Sequence, residues 1–197
     1  MAGGQGSRLK KGEKGLVRLC DRPLIEYVLT TLENSYFEPL VITTPRTPYT
    51  ANYCRVRGVD QITTEGTGYI EDVVEAVQLA GEDGPVLIIC VDTPGLRGDH
   101  LDHILSTYYE AEKDACSVWV PVSRAQELGC ISQHTQTITG IPAFPAGINI
   151  LLGERVGLVQ EETEILIDDP ALAFNINTQS ELLIAETFFS GKSSIQN

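Results

Sequence analysis

The chain has 197 residues, 42% hydrophobic and 21% charged, with a formal net charge of −13. Those proportions fit a soluble globular chain with one domain and a real core. They exclude a nucleic-acid partner, which is held by an excess of Lys and Arg on one face, and no stretch reaches the roughly 20 apolar residues of a membrane span.

The chain opens MAGGQGSRLKKGEK, and five of its fourteen Lys and Arg lie between Arg8 and Arg18. A locally basic start on an acidic chain suits a small polyanion better than a long one. Backbone N–H groups of a glycine-rich turn converge on phosphate oxygens where no side chain blocks the approach. The spacing is neither G-x-x-x-x-G-K-[ST] nor G-x-G-x-x-G, because Leu9 stands where a third glycine belongs. Taken alone, the loop barely exceeds a flexible turn with solvated cations.

PLIEYVLTTLEN (23–34) has apolar residues at helical spacing, with Pro23 suited to a first turn. PLVITT (39–44) reads as a buried strand. TTEGTGYIEDVVEA (63–76) is a Gly/Thr turn running into an amphipathic helix over 69–81 that ends at Gly81. The turn's N–H groups and hydroxyls could read a base or ribose, although Glu71 and Asp72 are equally explained by the helix dipole. PVLIICV (85–91) is the next strand, and Asp92 follows at its C-terminal edge, where α/β folds bind ligands. There it suits Mg²⁺, which takes one or two carboxylates plus phosphate oxygens; a turn cap through Thr93-Pro94-Gly95 explains it about as well.

GDHLDHILSTYYEAEKDA (98–115) reads as a helix with Asp99 as N-cap, and VWVPV (118–122) as a strand. The stretch 123–146 looks irregular. GINILL (147–152) reads as a strand, and TQSELLIAETFF (178–189) as a helix with Thr178 and Glu181 at capping-box spacing. The final residues, 191–197, are expected to fray. Strand and helix therefore alternate, which predicts one layered α/β domain over 1–190 with a mainly parallel sheet.

The five cysteines are odd in number and widely spaced, without a C-x-x-C pair. They read as reduced thiols of a cytoplasmic protein, with Cys90 a buried small hydrophobe. Met1 leads straight into the loop, so no signal peptide is expected. His100 and His103 fit a solvated helix face better than a metal pair, and no Ser/His/Asp or Cys/His set stands out.

In combination the motifs say more. A GGxGxR loop, a lysine shortly after it, a strand-end Asp and a late NINT segment resemble the MobA-like nucleotidyltransferases. GTGYIEDV, FPAGINI and FNINTQSEL are more specifically similar to the archaeal adenosylcobinamide-phosphate guanylyltransferases. That resemblance implies a Rossmann-like α/β/α sandwich that transfers GMP from GTP to adenosylcobinamide phosphate, with Mg²⁺ and release of pyrophosphate, in cobalamin synthesis. Gly3, Gly4, Gly6, Ser7 and Arg8 would cradle the GTP phosphates, with Arg8 and Lys14 offsetting charge on the leaving pyrophosphate. Asp92 would hold the metal with Asn177, and Asn175 beside it. Thr67, Gly68, Tyr69 and Glu71 would lie near the guanosine, and Ala146, Gly147 and Asn149 on the acceptor side. A molybdopterin or sugar phosphate acceptor, or a GTP-binding module without transfer, are the rival readings. Oligomeric state stays open, a homodimer included.

Two departures from the family pattern stand out. Gly15 replaces a proline after the loop lysine, which would loosen the loop. Only Met1 and Ala2 precede the loop, so the first strand of the sheet is expected to be truncated.

Overall fold

The computed structural model describes all residues except 5, 7, 8, 10, 131–133 and 194–197, and leaves aside the side chains of 192 and 193. In chain order its strands and helices are β1 (Arg18–Leu19), β2 (Arg22–Pro23), α1 (Leu24–Glu33), β3 (Leu40–Thr43), α2 (Pro48–Arg57), β4 (Asp60–Thr63), α3 (Tyr69–Ala80), β5 (Pro85–Ile89), α4 (Gly98–Ala111), β6 (Ala115–Pro121), α5 (Val122–Leu128), β7 (Gln136–Ile138), β8 (Ile141–Leu152), β9 (Glu162–Leu166) and α6 (Gln179–Ser193).

The predicted α/β alternation holds. β3 and β4 pair in parallel, as do β6 and β9, whereas β8 runs antiparallel to both β5 and β6. Successive residues of β5 face opposite ways. Ile88 belongs to the cluster with Val73 and Val77 of α3, and Ile89 to the one with Leu101 and Ile104 of α4. Both faces of the strand are thus covered by helices, the layering that a mostly parallel sheet requires.

Met1 and Ala2 stand between the two sets of strands. Met1 donates to the Ile89 carbonyl and accepts from Val91 N–H at 3.2 Å, the hydrogen-bond pattern of a parallel pair. On the other side Ala2 N–H donates to Ile42 O at 2.8 Å. Two residues therefore carry the ladder from β3 to β5 at the end that leads into the loop. Beyond them, between the two strands, lies an apolar cavity of about 260 Å³ bordered by Leu29, Val41 and Leu87.

Several expectations need correction. The stretch 123–146, read as irregular, holds most of α5, all of β7 and the start of β8. β7 and β8 form a tight hairpin with Ile138 opposite Ile141, and Thr139 and Gly140 between them have φ of 48° and 87°, the two positive angles of a type I′ turn. α4 stops at Ala111, because Ala115 already begins β6, and its N-cap is Arg97, with Asp99 in the first turn. α6 carries the helix to Ser193, past the expected fraying point at 191, and the rest of that tail lies outside the described residues. The capping box is as expected: Glu181 Oε2 accepts from Thr178 N–H at 2.8 Å, and Thr178 Oγ1 accepts from Glu181 N–H at 3.2 Å.

Candidate active site

The opening loop is anchored from below and closed on itself. Leu9 is fully buried with Phe174, Ile176 and Leu182, so the residue that breaks the dinucleotide-binding pattern is the loop's hydrophobic anchor. Lys14 N–H donates to Gly4 O at 3.0 Å and closes the loop. Gly6 has φ +59°, and a Cβ there would meet Gly12 O at 2.7 Å; the turn tolerates only glycine.

Glu13 fixes the loop laterally. Its carboxylate accepts from Tyr49 N–H at 2.9 Å and Thr50 N–H at 2.6 Å. These are orphan donors at the start of α2, so the loop supplies that helix with its cap. Gly15 follows in a 3₁₀ turn, buried, and a Cβ there would sit 3.4 Å from Thr50 Cγ2. Gly15 therefore packs against Thr50, whose N–H is held by the Glu13 carboxylate.

With its backbone so held, Lys14 reaches across the sheet. Its ammonium donates to Asp92 Oδ2 and, at 2.6 Å, to Asn177 Oδ1. Asp92 is buried just past β5, and Ile176 N–H donates to its carbonyl at 3.3 Å, drawing the NINT segment alongside. Asn177 is oriented twice: its Nδ2 donates to Asn175 Oδ1 at 2.7 Å, and its N–H to Glu181 Oε2 at 2.8 Å. Asn175 thus acts on Asn177 rather than facing Lys14 itself. The second oxygen of Asp92, Oδ1, is buried and has no hydrogen-bond partner among the described residues.

A cleft of about 370 Å³ opens above this triad. It is lined by Gly3, Gly4, Lys14, Thr67, Gly68, Tyr69 and Asp92, seven of the residues singled out in the sequence. Ser7 and Arg8 lie outside the described residues. Glu71 does not line the cleft: it is exposed, and its carboxylate folds back over Gly68. Its neighbour Asp72 is the organising acid. It is buried and accepts Gly66 N–H at 2.8 Å through Oδ1, which holds the Gly66–Gly68 turn beneath the cleft. Thr44, Arg46 and Cys90 also line the cleft. Sequence reasoning missed them because their loops become neighbours only in the fold.

Of the three expected acceptor-side residues, Ala146 and Gly147 act through their backbone. Thr93 Oγ1 donates to Ala146 O at 3.2 Å, and Cys90 N–H to Gly147 O at 2.9 Å. Gly147 has φ +74°, bending β8 where a Cβ would sit 3.1 Å from that of Cys90. Asn149 lines a second cavity, described below, near the Tyr69 hydroxyl. Burial of that hydroxyl, reinforced by the Cys90 and Asp92 charges, raises its pKa and keeps the phenol protonated. Burial likewise raises the Cys90 thiol, with the Asp92 carboxylate adding to the effect.

A glycine-rich cradle at the first crossover, a lysine behind it and a buried strand-end aspartate define a nucleotide-handling α/β protein. The chain belongs to the family of MobA-like NTP transferase domains, which matches residues 1–155. It is 32% identical, over 94% of this chain and 93% of the relative, to the adenosylcobinamide-phosphate guanylyltransferase of Methanocaldococcus jannaschii. The fold is shared with molybdopterin-guanine dinucleotide biosynthesis protein A from Archaeoglobus fulgidus, at TM-score 0.65 and 19% identity over 96% of both chains. It is shared too with a hypothetical transferase from Thermus thermophilus, at TM-score 0.69 and 15% identity over 92% of this chain and 96% of that one. The protein is a nucleotidyltransferase. No helix among the described residues is long and apolar enough to cross a membrane.

Proposed function

We propose that the chain transfers GMP from GTP to adenosylcobinamide phosphate. The observation that carries this reading is the likeness to the Methanocaldococcus guanylyltransferase over 94% of this chain, joined to a cleft lined by Lys14 and Asp92, with Asn177 bonded to the same lysine from a third, distant part of the chain. A phosphate oxygen of the acceptor attacks the α-phosphorus, the α–β P–O bond breaks, and pyrophosphate leaves with the bonding electrons. No side chain becomes covalently bound, so the chain's task is alignment and charge stabilisation.

The residues fit a divalent cation. The buried, unpartnered Asp92 Oδ1 is a hard anionic oxygen lacking a donor, and the Asn177 amide oxygen lies on the same lysine. One carboxylate, one amide oxygen and nucleotide phosphates form a Mg²⁺ donor set. Bound there, the ion would withdraw charge from the α-phosphate. Lys14, released from Asp92, would turn to the β- and γ-phosphates, while Gly3 and Gly4 offer N–H groups to the same oxygens. Tyr69 and the Gly66–Gly68 turn would wall the nucleoside side, and Asn149 the acceptor side.

Pyrophosphate release from GTP, with adenosylcobinamide phosphate present, tests the reading. Release that depends on this acceptor, and is weak with ATP or CTP, is expected. Release only with a molybdopterin or sugar phosphate would transfer the assignment to another branch of the family. Tight GTP binding with no turnover on any of these acceptors would leave a nucleotide-binding module.

A further inference from the structure

Beside the nucleotide cleft lies a second cavity of about 400 Å³, between α3 and the loop 153–160 that follows β8. Its floor includes the buried Val73 and Cys116. Its rim carries three apolar side chains held out into solvent: Ile70, 71% exposed, Leu158, 68%, and Val159, 94%. The loop that presents two of them is built rather than loose. Gln160 pairs its amide with Leu152, Oε1 accepting from N–H at 2.9 Å and Nε2 donating to the carbonyl at 3.0 Å. Gly153 N–H and Glu154 N–H donate to Gly84 O and Asp83 O at 2.8 and 2.9 Å. Holding adjacent large apolar side chains in water on an anchored loop is costly unless something covers them.

The position of the cavity says what covers them. Tyr69 lines both this cavity and the nucleotide cleft, and Asn149 lines the second. A molecule whose phosphate meets the nucleotide near Asp92 extends past Tyr69 and Asn149 and onto the apolar rim. We infer that this groove is the docking site for the macrocycle of the acceptor, Ile70, Leu158 and Val159 packing against its methyl-bearing face. The inference rests on the proposed transfer to a corrinoid phosphate. The exposed Glu162 on the lining is matched to a cobalt(III) corrin carrying an alkyl ligand, which is a net cation.

The test is the double variant Leu158→Ser/Val159→Ser, whose sites are exposed enough that folding should survive. Calorimetry with GTP, equilibrium dialysis with adenosylcobinamide phosphate and the pyrophosphate assay are run side by side on both proteins. The inference expects unchanged GTP affinity, and a corrinoid Kd and KM raised by about tenfold or more, the loss equivalent to uncovering one large apolar side chain. Wild-type transfer with an unmoved corrinoid KM in the variant overturns the groove and leaves guanylyl transfer standing. A wild-type chain that neither binds nor guanylylates the corrinoid overturns the functional reading and the groove with it. If light scattering shows that the variant turns a dimer into a monomer while the corrinoid KM stays put, the face belongs to a second copy, and the inference falls.

Discussion

Lys14 Nζ donates to Asn177 Oδ1 at 2.6 Å and to Asp92 Oδ2, joining residues 163 and 78 positions away in the chain. The ammonium stands where a divalent cation would approach Asp92, and it leaves the other Asp92 oxygen without a partner. On the proposed reading, lysine and metal would be alternatives at this carboxylate. Removing the lysine leaves a buried carboxylate uncompensated, which should cost about 1–3 kcal/mol. Lys14→Ala should melt below wild type, and Mg²⁺ should raise its melting temperature by more than that of wild type. Equal metal responses in a thermal melt would show that the two do not compete.

Asp92→Asn tests the carboxylate itself. The amide keeps the shape and an acceptor for Lys14, so the melting temperature should move by only a few degrees. Turnover should fall about 10²–10³-fold, the scale lost when a group stabilising transition-state charge is removed. Pyrophosphate release with the fold checked by circular dichroism measures both, and undiminished turnover would remove Asp92 from the chemistry.

Glu13 couples the loop to α2 through two backbone donors. Glu13→Ala should destabilise the protein by about 1–2 kcal/mol, as loss of a helix cap does. Because the same residue precedes Lys14, KM for GTP should rise as well. Glu13→Gln retains one acceptor oxygen and should recover part of both losses in denaturant titrations and kinetics. A change in stability with an unmoved KM would separate the cap from the loop.

Gly147→Ala should destabilise by about 1–2 kcal/mol from backbone conformation alone, since φ is +74°. The added methyl also presses on Cys90, two residues before Asp92, at 3.1 Å. Urea titration should show the loss. Turnover should fall with it, because Thr93 and Ala146 are bonded across the same contact.

What was legible in the sequence follows from how local each signal is. α1, α3 and α6 have long periodic patterns or explicit caps, and Gly81 ends α3 in the left-handed conformation as its position suggests. α2 escaped because its sequence is largely polar and its cap, Glu13, comes from another part of the chain. β4 and β9 escaped because they are short, partly exposed and rich in polar residues. The Thr139-Gly140 turn carries little sequence signal, because a β-branched residue rarely takes the positive φ that a type I′ turn requires. At the site, Asp92 announced itself by its place at the end of an apolar strand. Lys14 and Asn177 entered through the family resemblance. Asp72 reads from the sequence as a helix-dipole residue, because only the fold brings Gly66 N–H to its carboxylate.

His100 supplies the last prediction. It sits in the first turn of α4, buried rather than on the solvated face its spacing suggested, its Nδ1 accepting from Arg97 N–H at 3.3 Å and its Nε2 meeting Asp169 Oδ2 at 3.2 Å. Both bonds are satisfied by the neutral ring protonated on Nε2, a tautomer assigned from its partners. A second proton would set one donor against another at Nδ1. Burial first, and then the Arg97 charge, lower its pKa below the ordinary 6.5, outweighing the opposing pull of Asp169 and Asp99. The unfolded chain therefore takes up this proton before the folded one does. Stability is complete above pH 6.5 and declines as the pH falls below it, until the folded ring protonates. The carboxylates of Asp169, bonded to the ring, and of Asp99, beside it in sequence, are themselves held below 3.8, so they stay charged through the upper part of that decline. Thermal melts from pH 7.5 downward should show the fall beginning near 6.5 in wild type and flattened in His100→Gln. An identical profile in the two proteins would move the acid sensitivity to other groups.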